Sequence, residues 1–137
     1  MRLKVIVALL LFSVLGFSSQ WYPDFKKGVE VAKRENKLVL VYFYEEGCNY
    51  CKYMEEVVFI DPKVSTIMEN VFVVVPIDVE EIPPDLDKRF KAIGTPTFMV
   101  YDPRGDKLIM QIFGLQESDQ FYELLSSACK KMKIKSC

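Results

Sequence analysis

The sequence contains no histidine. That absence removes imidazole from the chemistry: no Ser-His-Asp or Cys-His catalysis and no histidine-bearing zinc site is open to this chain. There is no excess of basic residues either, since 18 Lys and Arg stand against 19 Asp and Glu. A net charge of −1 gives nothing for a nucleic-acid backbone to attract, so no nucleic-acid partner is expected. Long apolar runs are also scarce. The only extended one, Val5–Phe17, has 13 residues and one polar member, Ser13, short of the ~20 that span a bilayer. At 137 residues the chain has room for one domain and little more, and half of it is apolar, enough to form a core.

That apolar run follows Arg2 and Lys4 and ends on the small residues Gly16 and Ser18. A short positive segment, an apolar stretch of about 7–15 residues and small residues before a cut site describe a secretory leader. Residues 1–18 are therefore read as a signal peptide cleaved after Ser18, and 19–137 as the domain. An uncleaved anchor and a buried N-terminal strand are the alternatives. Cleavage takes two of the 18 basic residues and no acids, leaving a net charge of −3. Export places the four cysteines in an oxidising compartment, periplasmic or extracellular, where they would ordinarily form structural bridges.

Periodicity then divides the domain. Pro23 precedes a helix carrying Phe25, Val29 and Ala32 to about Glu35, and Leu38–Tyr44 is apolar throughout, as in a strand buried on both faces. A helix is predicted from Cys48 to about Val58, with Cys51, Met54, Glu55 and Val58 at three-to-four spacing. Asp61-Pro62 opens another with Val64, Ile67 and Met68 inward, closed by Asn70. Val71–Asp78 reads as a strand, Glu80–Pro84 as an acidic loop, Asp85–Ala92 as a short helix and Thr97–Tyr101 as a strand. Asp102-Pro103-Arg104-Gly105 suits a type I turn into a strand over Lys107–Phe113. Ser118 is expected to cap a last helix to about Lys131, with Phe121, Leu124, Leu125 and Ala128 on its inner stripe. This order implies an α/β fold: a mixed four-stranded sheet with helices on both faces.

Cys48-Asn49-Tyr50-Cys51 follows directly on the first strand and opens a helix. Two cysteines so spaced can bridge, and the first lies where unpaired backbone N–H groups and the helix dipole stabilise a thiolate. Cys48 is thus the candidate nucleophile and Cys51, one turn deeper, the resolving thiol. Gly94-Thr95-Pro96-Thr97 places a proline at the head of a strand, as a turn or a cis bond would.

Taken together, the Val41-Tyr42-Phe43-Tyr44 strand end, the Cys48–Cys51 segment, Val73–Asp78, Gly94–Thr97, the hairpin and the last helix resemble the thioredoxin family. The resemblance implies a three-layer sandwich, a cis Pro96, and contact of Thr95 with Cys48 and with substrate. It implies a thiol:disulfide oxidoreductase whose only redox group is its own cysteine pair, with no added cofactor. Residues 45–81 look most like exported bacterial relatives that reduce or relay disulfides of other exported proteins. The implied partners are those proteins and a membrane thiol electron donor, and nothing demands a dimer. The pattern departs from thioredoxin in three places: Gly47 replaces a tryptophan, Asn49-Tyr50 replaces Gly-Pro, and Tyr42 replaces a buried aspartate that assists proton transfer. Glu45 or Glu46 would have to supply the acid; close to Cys48, their charge raises its pKa and favours a reductant.

Cys129 and Cys137 stand apart, either bridging to pin the tail or leaving Cys137 free or paired between chains. The competing readings are binding functions. An all-thiolate zinc site is disfavoured by the seven residues between Cys129 and Cys137. Soft-metal delivery would need the Cys pair with Met54 or Met99, both at core spacing. A redox-silent binding module would not need Cys48 and Cys51.

Overall fold

The run Leu38–Tyr44 forms β1, and its two faces divide the molecule into three layers. Leu38, Leu40 and Tyr42 point into one core, Val39, Val41 and Phe43 into the other, and all six are buried. The structure is a computed structural model, and it describes residues 21–137. The expected signal peptide and its cleavage after Ser18 lie outside the described residues.

Four strands make the sheet: β1, β2 (Phe72–Asp78), β3 (Thr97–Asp102) and β4 (Lys107–Phe113), in the order β2-β1-β3-β4. β1 and β2 run parallel, joined by the helical crossover that such a pair requires. β3 lies antiparallel to β1, and β4 to β3, with a register shift at Val100/Tyr101. At the β2 edge, Trp21 bridges to Val74, where the Tyr22 amide donates to the Val74 carbonyl at 2.8 Å.

Helices cover both faces. On one lie α2 (Asn49–Tyr53), α3 (Pro62–Val71) and α5 (Ser118–Lys131), which bury Cys51, Val64, Met68, Val71, Phe121, Leu125 and Ala128 with Phe98. On the other lie α1 (Phe25–Glu35) and α4 (Pro84–Arg89), whose Phe25, Val31, Ala32 and Leu86 pack with Phe90, Met99 and Tyr101. Asp24 caps α1 by accepting from the Lys26 amide at 2.9 Å. Gly28 inside α1 weakens the helix intrinsically by about 0.5–1 kcal/mol. Its reason is close approach, because a Cβ there would lie 2.5 Å from Val75 Cγ2. No helix among the described residues is long and apolar enough to cross a membrane.

Several boundaries differ from those expected. The helix after Cys48 is not uniform: α2 passes at Met54 into a π-helical turn over Met54–Val58, closed by Phe59 N–H to Met54 C=O at 2.8 Å. The wider turn lets Met54, Val58 and Phe59 all face the core, which α-spacing would not allow. α3 runs through Val71 and does not close at Asn70. The acidic loop contains a 3-10 turn, Val79–Glu81, capped by Asp78. α4 starts at Pro84 and ends at Arg89, before Ala92, because Phe90 turns extended into the core. Ser118 is the first residue of α5, not its cap; Glu117 holds the cap position, and its carboxylate accepts instead from Tyr53 Oη at 2.9 Å.

The β3–β4 turn carries an unexpected tie. Asp102 is buried and accepts from the Arg104 amide at 3.0 Å and from Arg104 Nε and Nη2, both at 2.9 Å. Arg104 Nη2 also donates to the Met132 carbonyl at 3.0 Å, joining the turn to the end of α5. These hydrogen bonds hold the Asp102 carboxyl below the usual carboxylate range. A depressed pKa stabilises the fold above the unfolded value, about 3.9, and that contribution is lost as pH falls through the folded value. Asp102→Asn is therefore expected to cost about 1–3 kcal/mol at neutral pH. It should also flatten the acid limb of stability, as urea titrations between pH 7 and pH 3 would show. An unchanged acid limb would dissociate Asp102 from acid unfolding.

Candidate active site

β1 delivers the chain to one end of the sheet at Tyr44, and Glu45-Glu46-Gly47 turn it into α2. Gly47 takes φ +80°, a left-handed conformation that favours glycine, which explains why no tryptophan stands there. Cys48 follows as the N-cap of α2, partly exposed, while Cys51 is buried. The two are bridged, with Cα atoms 5.2 Å apart. Cys51 N–H points at Cys48 Sγ from 3.1 Å, as an amide that would stabilise a sulfur anion must.

The second segment reaches the same end of the sheet. The Thr95–Pro96 bond is cis and Pro96 is buried. Pro96 C=O accepts from Gly114 N–H at 2.8 Å, and Thr97 Oγ1 donates to the Gly94 carbonyl at 2.5 Å. Thr95 Oγ1 donates to Glu45 Oε1 at 3.2 Å, so the proline loop is tied to the loop that precedes Cys48. A Cβ on Gly94 would stand 2.8 Å from Phe113 Cε2, which places that half-exposed ring against the proline loop.

A cleft of about 620 Å³ opens beside the bridge, lined by Cys48 and Cys51 together with Glu45, Glu46, Glu55 and Asp78. The sequence pattern does not single out Glu55 as an acid of the site. Its signal was its position, four residues beyond Cys51, one helical turn on. Partial burial raises the Glu55 pKa, and Glu56 raises it further.

Beneath lies Tyr42, whose ring stacks on Phe98 at 5.1 Å between centroids. Its hydroxyl is buried and has no hydrogen-bond partner among the described residues. Burial first, then Glu55 and Tyr44, push its pKa above the ordinary tyrosine value. A phenol so placed stays neutral and supplies no carboxylate. An unpaired buried hydroxyl destabilises, so Tyr42→Phe is expected to stabilise the protein by about 1 kcal/mol. A shifted denaturation midpoint at constant slope would register it; a loss of stability would mean that the hydroxyl has a partner in solution.

Cys129 and Cys137 form a second bridge, Cα atoms 5.9 Å apart, at a different cleft lined by Pro62, Ile67 and Tyr122. Ser136 Oγ donates to the Asn70 carbonyl at 3.2 Å, fastening the tail to α3. The four cysteines thus lie as two separate bridges. Met54 and Met99 are core residues, 0 % and 1 % exposed. Among the described residues no group of three or more Cys, Asp or Glu is placed to hold a metal ion.

A model of the thioredoxin-like domain matches residues 25–128, three quarters of the chain and all four strands of the sheet. The chain belongs to the thioredoxin-like family. A solved thioredoxin from Thermus thermophilus is 32% identical, superposes with a TM-score of 0.74, and is covered over 89% of its length by 83% of this chain. The C-terminal domain of DsbD from Neisseria meningitidis, in its oxidised form, is 25% identical with a TM-score of 0.61 over 75% of this chain and 90% of that one. Among curated proteins, the thiol:disulfide interchange protein DsbD of Ralstonia nicotianae is 29% identical over 105 residues. Those are 74% of this chain but only 17% of that relative. With its Cys-x-x-Cys pair in place on this fold, the protein is a thioredoxin-like thiol:disulfide oxidoreductase.

Proposed function

We propose that the protein is exported to the periplasm or beyond, as an 18-residue leader followed by a monomeric domain, and that it reduces or relays disulfides of other exported proteins. Cys48 is the attacking thiol and Cys51 the resolving one, a membrane thiol donor restores the dithiol, and no added cofactor takes part. Thr95 and Pro96 hold the substrate chain beside Cys48, Glu45 and Glu46 temper the Cys48 thiolate, and the Cys129–Cys137 bridge is structural. The observation that carries this reading is the pairing of a partly exposed sulfur, at a helix start, with a buried one bridged to it. That arrangement suits exchange with a second protein followed by internal resolution. Export is supported by the pattern of residues 1–18.

Reductant is the favoured direction. Carboxylates near a sulfur anion destabilise it, and a less stable thiolate makes the dithiol give up its electrons more readily. Equilibration in graded thiol buffers tests this, with Cys48→Ser as control. A reversible two-electron transition near −270 mV, thioredoxin's approximate value, supports a reductase, whereas one near about −120 mV reverses the direction. No transition, or one that survives Cys48→Ser, ends the proposal. Recovery of secreted protein still beginning at Met1 would remove the leader.

A further inference from the structure

The cleft beside the bridge is strongly one-signed. Glu45, Glu46, Glu55 and Asp78 line it, and the one cation among the described lining residues, Lys52, lies 4.0 Å from Glu56. Thr95 Oγ1 holds Glu45 and Lys52 pairs with Glu56, whereas the Glu46 and Glu55 side chains line the cleft with no side-chain hydrogen bond or ion pair among the described residues. A second feature points to the same ligand charge. Tyr50, between the two cysteines, is 62 % exposed. Exposed aromatic faces and carboxylates both attract ammonium and guanidinium groups.

Resting on the proposed reductase activity, we infer that the protein selects polypeptide disulfides whose cysteines are flanked by lysine or arginine, and discriminates against anionic ones. The chemistry balances within the reduced protein. The Cys48 thiolate attacks one substrate sulfur, the substrate S–S bond breaks, and the second substrate sulfur leaves as a thiolate that takes a proton. The Cys51 thiolate then attacks Cys48 Sγ, releasing the first substrate sulfur, which is protonated in turn. Two electrons pass to the substrate and the Cys48–Cys51 bond forms. The carboxylates act on encounter and on the mixed disulfide, both of which bring the flanking charges into the cleft.

The test uses full-length protein, fully reduced and freed of reductant. It is mixed in single turnover with three disulfide-linked peptide dimers that differ only in the residues flanking cysteine: Lys, Gln or Glu. Rates with dithiothreitol, a neutral dithiol, normalise intrinsic differences in disulfide reactivity. At low ionic strength the normalised rates are expected to fall in the order Lys, Gln, Glu, with the Lys-to-Glu ratio on the order of tenfold or more. At 1 M salt, where the screening length shrinks to about 3 Å, the ratio should approach unity. The Glu46→Gln/Glu55→Gln variant should narrow it at low salt. Normalised rates within twofold of one another, or a ratio indifferent to salt and to the variant, overturn the inference and leave the reductase standing. Failure to reduce any of the three peptides removes the reductase reading and this inference with it.

Discussion

Cys48→Ser is expected to reduce disulfide exchange to the buffer background, a loss on the order of 10³-fold or more. Cys51→Ala is expected to do something different: react once and stop, accumulating a covalent complex with its substrate. The difference follows from position. Cys48 caps the helix with its sulfur partly exposed, whereas Cys51 is 2 % exposed and meets no bulky partner directly. Serine cannot form the mixed disulfide, so nothing begins. In Cys51→Ala the first attack proceeds, but no internal thiol releases the product. Non-reducing gels and intact mass read both outcomes, the trapped complex disappearing when dithiothreitol is added. Trapping by Cys48→Ser in place of Cys51→Ala would reverse the roles assigned to the two cysteines. Retained turnover in both variants would place the activity elsewhere.

The parts of this site that were legible in the sequence are those encoded by local pattern. Leu38–Tyr44 declares a strand buried on both faces because no polar residue interrupts it, and β1 occupies just those residues. The spacing of Cys48 and Cys51 and the turn residues ahead of them locate the reactive loop without tertiary information. The elements lost were those decided by packing. The π-helical turn at Met54–Val58 cannot be told from an α-helix by apolar spacing, since Met54 and Val58 fit either. Glu55 and Glu56 are adjacent and alike in sequence, yet only Glu55 lines the cleft with the cysteines. The tie from Asp102 through Arg104 to Met132 joins residues 30 apart and leaves no local mark. In the sequence Tyr42 marks only a missing acid; its unpartnered hydroxyl emerges from the rings around it.

Those rings carry the largest expected loss of stability. Phe98 is fully buried, with Tyr42, Phe59 and Phe121 at 5.1, 5.9 and 4.8 Å between centroids. It stands two residues past Pro96 and so joins the strand that presents the proline to the helices that carry the cysteines. Phe98→Ala deletes the common partner of three rings in a core that cannot fully collapse around the gap, at a cost of about 3–5 kcal/mol. Against a total of about 5–15 kcal/mol for a domain, that is a large share. Phe98→Leu keeps most of the volume, and its expected cost is about 1–2 kcal/mol. Trp21 is the single tryptophan of the chain and packs on Phe59 and Tyr42, so its fluorescence follows unfolding of this cluster directly. Urea midpoints should fall in the order wild type, Phe98→Leu, Phe98→Ala. Activity at low temperature should track the folded fraction alone, because the Phe98 ring carries no group that takes part in thiol–disulfide exchange. A Phe98→Ala variant as stable as Phe98→Leu would show that the cluster repacks. One that stays folded but loses exchange activity would instead make the aromatic layer part of what holds Pro96 and Cys48 in register.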